Sequence, residues 1–259
     1  MNDNDELLLD VHDGIGTVTF NRPAARNALT FGMYEALASV CERILDKSLD
    51  IRVLIITGAG DRAFAAGTDI TQFRDFETPE DALNYEREMD RVLSKLEALP
   101  VPSIAAIRGA CTGGGAAIAA CCDLRIASED IRFGFPIART LGNCLSLSSL
   151  SRLVALLGAP RTRDILLTAR LIGKEEALAC LLINECVADP MSRARELATT
   201  LQQHAPLTMA ASKEGLRRLR EHTADINGDD LIVQCYTSDD FREGMDAFLA
   251  KRQPRWRGR

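Results

Sequence analysis

Residues 107–125 read IRGACTGGGAAIAACCDLR, and this stretch decides how the rest of the chain is read. An apolar run over 101–107 leads into it, the glycines Gly113, Gly114 and Gly115 occupy its centre, and the small-residue segment 116–122 follows. Each glycine in a helix costs about 1 kcal/mol against alanine, so a triplet is a poor helix start on stability grounds. It suits a helix start where a ligand must approach bare backbone. There the first N–H groups have no intrahelical partner and lie at the positive end of the helix dipole. The stretch therefore reads as strand, turn and helix, with a turn able to stabilise a negative oxygen.

Working outward, residues 6–20 alternate apolar and polar around Asp13-Gly14, the pattern of a hairpin. Helical spacing runs from Thr30 to about Lys47, with Leu37, Val40, Cys41, Ile44 and Leu45 on one face. Residues 51–57, IRVLIIT, are almost continuously apolar, as expected of a strand buried on both faces. They lead through Gly58-Ala59-Gly60 to a second small-residue loop over 63–70, AFAAGTDI, which mirrors the first. Thr78-Pro79-Glu80-Asp81 is a helix start, and the helix is expected to run to about Leu99. Met89, Val92, Leu93 and Leu96 are placed inward and the segment 86–91, EREMDR, largely outward. A short strand over 124–127 follows the opening stretch. Beyond Phe133-Gly134-Phe135-Pro136 the pattern becomes helical, over about 146–157, 160–168, 174–182, 190–203, 207–221 and 229–250, with strand-like pieces at 170–172 and 183–188. Strands gather early and helices late, which predicts one α/β core followed by a helical C-terminal part suited to assembly.

The 259 residues are 46% hydrophobic and 26% charged, an ordinary globular balance. No run of about 18 apolar residues suggests a membrane span, and the acidic start MNDNDELLLD lacks the order of a secretory signal. A cytoplasmic location is expected. A net charge of −6 argues against a nucleic-acid partner. The eight cysteines include no C-x-x-C, and His12, His204 and His222 form no ligand cluster, so no metal site is expected. No G-x-G-x-x-G follows the first strand, which argues against a dinucleotide fold.

Five segments in order then carry a resemblance: Asn21-Arg22-Pro23 with Asn27-Ala28-Leu29, AFAAGTDI (63–70), GACTGGGAAIAACCDLRIA (109–127), FGFP (133–136) and TSDDFREGMDAFLAKR (237–252). In these the chain resembles the crotonase (enoyl-CoA hydratase/isomerase) superfamily. The resemblance implies an α/β fold: a spiral of ββα units binding acyl-CoA over 1–190, then a helical oligomerisation region over 191–259. It implies a homo-oligomer, either a trimer or a dimer of trimers. It implies an acyl-CoA thioester as ligand, with coenzyme A entering as part of the substrate and no separate cofactor. The thioester oxygen would be held by the backbone N–H groups of Thr68 and Gly114. Substrate and CoA contacts would come from Arg22, Ala25, Arg26, Ala66, Thr68, Asp69, Ile70, Thr71, Gly114 and Lys251. Where relatives often carry a basic residue, this chain has Thr71.

The chain also departs from the family. Hydratases of this type use two glutamates as acid and base; the matching positions here are Ala117 and Ile137, and neither can move a proton. The pocket segment instead offers Arg139, able to hold a carboxylate or to stay a surface charge, and Asn143 and Cys144, able to orient a water, act as a weak acid or fill core. Asp69 and Asp123 are read as supports of the loops, and Asp239, Asp240 and Glu243 as helix-start and packing charges. The expected activity is that of an acyl-CoA lyase or isomerase that stabilises a thioester enolate. Its reaction, such as decarboxylation or thioester cleavage, would differ from two-glutamate hydration. The alternative is a non-catalytic acyl-CoA-binding oligomer, a sensor or scaffold.

Overall fold

The computed structural model describes residues 6–221 and 228–257. Met1 to Asp5, His222, Gly258 and Arg259, which entered the sequence reading, lie outside the described residues. The N-terminal hairpin pairs β1 (Leu7–His12) with β2 (Ile15–Phe20) and is followed by α1 (Phe31–Leu45). Three further units repeat one theme: β3 (Val53–Gly58), β4 (Ala63–Ala65) and α2 (Pro79–Glu97); β5 (Ser103–Ile107), β6 (Ala110–Thr112) and α3 (Gly114–Cys121); β7 (Leu124–Ala127), β8 (Arg132–Gly134) and α4 (Ile137–Thr140). The first strand of each unit joins a six-stranded sheet, in order β1-β2-β3-β5-β7 and then β9 (Glu185–Cys186). The second strand joins a three-stranded parallel sheet, β4-β6-β8. This is the ββα spiral that the resemblance implies.

The small sheet corrects the sequence reading, which left 63–65 and 109–112 as loop. Strands of three residues are too short to show an alternating pattern. Gly109 makes the turn between the two sheets at φ +58°, where a Cβ would overlap the Arg62 carbonyl. The larger sheet is covered on both faces, as its apolar runs predict. Leu54, Ile56, Ala105 and Ile107 join the main core with Leu37, Val92 and Leu96 of α1 and α2. Val53, Ile55, Ile104 and Ile126 pack on Ala194 and Ala198 of α7 (Pro190–Leu201). Each fully buried aliphatic side chain contributes roughly 1.5–3 kcal/mol, so this strand alternation orders both layers.

The remaining helices are α5 (Leu147–Leu167), interrupted at Gly158, α6 (Lys174–Ala179), α8 (Pro206–Glu221), α9 (Asp229–Tyr236) and α10 (Asp239–Leu249). The helix expected over 229–250 is in fact two. Ser238 ends the first and caps the second, its Oγ accepting from Phe241 N at 3.0 Å. This break sets Tyr236 at the end of α9, against the rest of the site. No described helix is long and apolar enough to cross a membrane.

Candidate active site

The two small-residue loops meet back to back. A Cβ on Gly113, whose φ is +52°, would lie 3.3 Å from Gly67 Cα, so both loops are glycine where they touch. Leu29 donates to the Gly67 carbonyl at 2.8 Å and accepts from Asp69 N at 2.8 Å. In an extended chain successive N–H groups point to opposite sides, so the intervening Thr68 N–H faces away from Leu29. Gly114 is the first residue of α3, where an N–H has no intrahelical acceptor. Among the described residues neither N–H has a backbone partner, and both residues line one cavity. Gly115 supplies the close approach behind them: a Cβ there would overlap the Ala65 carbonyl and lie 2.7 Å from Ala65 Cβ.

Side chains brace this arrangement. Asn27, 1% exposed with φ +55°, donates through Nδ2 to the carbonyls of Ala59 (2.9 Å) and Ala63 (2.8 Å) and accepts from Arg22 N (3.0 Å). The Thr68 hydroxyl lies 2.8 Å from Tyr34 Oη and 3.0 Å from Tyr85 Oη, so one residue carries both a free N–H and a buried hydroxyl bridge. Burial pushes both phenols upward, which keeps them protonated. Arg125 holds the far end of α3. Its guanidinium donates to the carbonyls of Ala119, Cys122 and Leu182 at 3.3, 2.5 and 2.6 Å.

The cavity, of about 130 Å³, is mostly apolar, with Phe73, Met89, Leu93, Phe135 and Ile137 among its walls. Among the described residues, one carboxylate lines it. Glu86 of α2 is 8% exposed and accepts from Tyr236 Oη at 2.6 Å, while Tyr236 Oη accepts from Asn143 Nδ2 at 3.1 Å. Burial pushes the Glu86 carboxyl up to about 7. The Tyr236 hydrogen bond opposes that rise, the Asp90 charge adds to it, and a backbone hydrogen bond from Ser146 lowers it. The sequence reading placed 86–91 largely outward, and Glu86 corrects it. Glu86 follows Ala82 by four residues and precedes Met89 by three and Leu93 by seven, so it lies on the buried stripe of α2. That spacing was visible; the charge of the residue hid it, because an unpaired carboxylate is costly to bury.

A pH effect on stability follows from this burial. Glu86 binds its proton more tightly folded than at its ordinary 4.5, so its stabilising contribution is fully present below that value. The contribution is lost as pH rises through 7, and amounts to ~3 kcal/mol across the window. Glu86→Gln is therefore expected to be more stable than the parent protein at pH 8 and to lose that advantage by pH 4. Urea unfolding of both proteins at the two pH values checks this, and an identical pH dependence would rule out the buried carboxyl as its source.

A sequence model of the enoyl-CoA hydratase/isomerase family matches residues 10–259. The chain belongs to that family. A short-chain-enoyl-CoA hydratase from Clostridium acetobutylicum is 32% identical over 252 residues, covering 95% of each chain. The crystal structure of an enoyl-CoA hydratase/carnithine racemase from Magnetospirillum magneticum superposes with a TM-score of 0.79 at 33% identity, over 98% of this chain and 96% of that one. A methylmalonyl-CoA decarboxylase in complex with 2-nitronate-propionyl-CoA superposes at 0.85 with 26% identity, over 98% and 99%.

In this member of the enoyl-CoA hydratase/isomerase family, Ala117 and Ile137 both line the cavity, so the two positions expected to hold glutamates present only carbon. Ala66, Thr68, Ile70 and Asn143 line it as well. Asn143 Oδ1 is buried there without a hydrogen-bond partner among the described residues. Arg139 is exposed on α4 and stands outside the lining, and the Cys144 thiol donates to the Leu231 carbonyl at 3.4 Å. Arg22 is committed to its own loop, donating to the Ala28 carbonyl at 2.7 Å and pairing with Glu6 and Asp69 at 3.0 Å each. Burial alone would raise the Asp69 carboxyl, but hydrogen bonds from Thr71 and Arg22 together hold it below its usual range. Asp69 and Thr71 thus serve the turn, Thr71 N donating to Asp69 Oδ1 at 3.1 Å. Ala25, Arg26 and Lys251 are exposed. Asp123 accepts from Ser103 N at 2.7 Å and pairs with Lys213, as a support.

Proposed function

We propose that this chain binds an acyl-CoA thioester and stabilises its enolate between the N–H groups of Thr68 and Gly114. The reaction would be other than two-glutamate hydration, with decarboxylation or thioester cleavage as the favoured classes. The observation that carries the reading is one cavity lined by Thr68 and Gly114, whose N–H groups have no backbone partner among the described residues, and by Ala117 and Ile137. Each donor aimed at a developing oxyanion is worth about 3–4 kcal/mol, so the donors lower the barrier to any enolate-forming step. The methylmalonyl-CoA decarboxylase superposition supports the first class. Coenzyme A enters as part of the substrate, no further cofactor takes part, and the exposed Arg26 and Lys251 are free to face its phosphates. Leu207, Leu216 and Leu219 of α8, exposed at 83%, 71% and 74%, support a trimer or a dimer of trimers assembled through the helical region.

Mixing the purified protein with crotonyl-CoA and following the conjugated absorbance tests the departure from hydration. Without the glutamate pair, hydration is expected at least ~100-fold slower than in a two-glutamate relative. Equal turnover would refute the reading of Ala117 and Ile137. Tight binding of acyl-CoA thioesters with no turnover and no α-proton exchange in deuterated water would instead establish a binding oligomer.

A further inference from the structure

We propose that Glu86 is the group that moves the proton at the carbon α to the thioester carbonyl, standing in for the glutamates that Ala117 and Ile137 replace. The proposal rests on the acyl-CoA reading above. Its geometric basis is that Glu86 lines the same cavity as Thr68 and Gly114, but reaches it from α2, an element on which neither replaced position lies. All three residues border one cavity of about 130 Å³, the space open to an acyl group held at the two N–H groups.

The surroundings of Glu86 hold it for this task. Asn143 Nδ2 is a donor only, so Tyr236 Oη uses its lone pair to receive it and directs its own proton to Glu86 Oε1. The carboxylate is thereby oriented by a phenol on α9 that is 150 residues away in the chain. The titratable groups facing Glu86 are Tyr34 from α1, Tyr85 and Asp90 from its own helix, Tyr236 from α9 and Cys144 from the segment after α4. Burial raises the phenols, which stay neutral, and Asp90 is engaged by Ser146 Oγ at 3.0 Å and Arg152 at 3.3 Å. Glu86 is therefore the group in the cavity that changes charge near neutrality, where acid and base forms are both available.

The step is a single proton transfer. The Cα–H bond of the bound thioester breaks, its proton passes to the Glu86 carboxylate, and the electron pair forms the enolate, whose charge rests on the oxygen held by Thr68 and Gly114. In the reverse direction the protonated Glu86 returns a proton to Cα. The same return would complete a decarboxylation, in which loss of carbon dioxide leaves the enolate. One carboxylate serves such reactions, whereas adding water across a double bond calls for an acid and a base together.

The test is α-proton exchange into butyryl-CoA in deuterated water, followed by mass spectrometry between pH 5 and 9, with butyryl-CoA binding to the parent protein measured by calorimetry. The parent is expected to bind, and to exchange at a rate that rises through about pH 7. Glu86→Gln should exchange about 100-fold more slowly at pH 8, while Glu86→Asp keeps the inflection at a reduced rate. Tyr236→Phe removes a hydrogen bond that favours the charged carboxylate, so its inflection should move to higher pH; this variant carries the test if Glu86→Gln does not fold. Exchange by Glu86→Gln within threefold of the parent, or a Tyr236→Phe profile that coincides with the parent's, overturns the role of Glu86 and leaves the acyl-CoA site standing. A parent that binds butyryl-CoA without exchange does the same. A parent that binds no butyryl-CoA overturns the acyl-CoA reading, and the role of Glu86 with it.

Discussion

Gly114→Ala is expected to lower α-proton exchange on a saturated acyl-CoA by on the order of 10³-fold, the upper end for loss of an oxyanion donor. The added Cβ would overlap the Tyr34 hydroxyl and stand 3.1 Å from Thr68 Oγ1. Tyr34 is 2% exposed and cannot swing away freely, so α3 must shift or the Tyr34–Thr68 hydrogen bond of 2.8 Å must break. Either displaces one N–H donor and loosens the other, because Thr68 belongs to both the donor pair and the hydroxyl bridge. A second substitution separates this cause from a general loss of fold. Tyr34→Phe removes the overlapping oxygen and leaves Cζ 3.2 Å from the new Cβ, a tight but workable contact. The double variant Gly114→Ala/Tyr34→Phe should therefore exchange faster than Gly114→Ala alone. Additive losses in the two single variants would sink this account.

Arg125→Met is expected to lower stability by about 2–5 kcal/mol, the cost of leaving buried carbonyls without their donor. Arg125 is 6% exposed, and its side-chain hydrogen bonds among the described residues all go to carbonyl oxygens. Ala119 and Cys122 lie at the C-terminal end of α3, where the dipole favours a cation; the Ala119 carbonyl also accepts from Cys122 N at 3.3 Å. Methionine fills a similar volume but leaves the Cys122 and Leu182 carbonyls without that donor, each costing roughly 1–3 kcal/mol, while Ala119 keeps its bond from Cys122 N. In a chain of this size the loss corresponds to about 10 °C in melting temperature. Arg125→Lys keeps the charge without the fork and should fall between the two. Unfolding by urea with a midpoint unchanged in Arg125→Met would show that other groups satisfy those carbonyls. The cation also secures the far end of the helix whose first residue, Gly114, lines the cavity.

Much of this molecule was legible in its sequence because the signals are local. The run at Val53 to Ile56 specifies a strand covered on both faces, because it is short, three of its four aliphatic residues are β-branched and a glycine turn closes it. Thr30 and Thr78 mark helix starts through bonds to residues three positions on, Met33 N at 3.2 Å and Asp81 N at 3.3 Å. The glycine triplet and the AAGTD loop marked the two loops that line the cavity, through backbone chemistry that side-chain identity barely affects. Weaker signals were lost. The three-residue strands of the small sheet carry no period, and the cap at Ser238 lies inside a pattern that stays helical on both sides.

The sequence by itself determined the strands of the larger sheet, the helix starts at Thr30 and Thr78, the two glycine loops and the departure from the glutamate pair at Ala117 and Ile137. Each depends on residues within a few positions of one another. Only the tertiary structure decided what the cavity holds. Glu86 is one charged residue in a charged segment until packing turns its face of α2 inward and brings Tyr236 and Asn143 against it. The hydroxyl bridge from Tyr34 through Thr68 to Tyr85 likewise joins three elements. Burial and partners at long sequence separation set the ionisation of a carboxylate, and they exist only once the chain has closed around it.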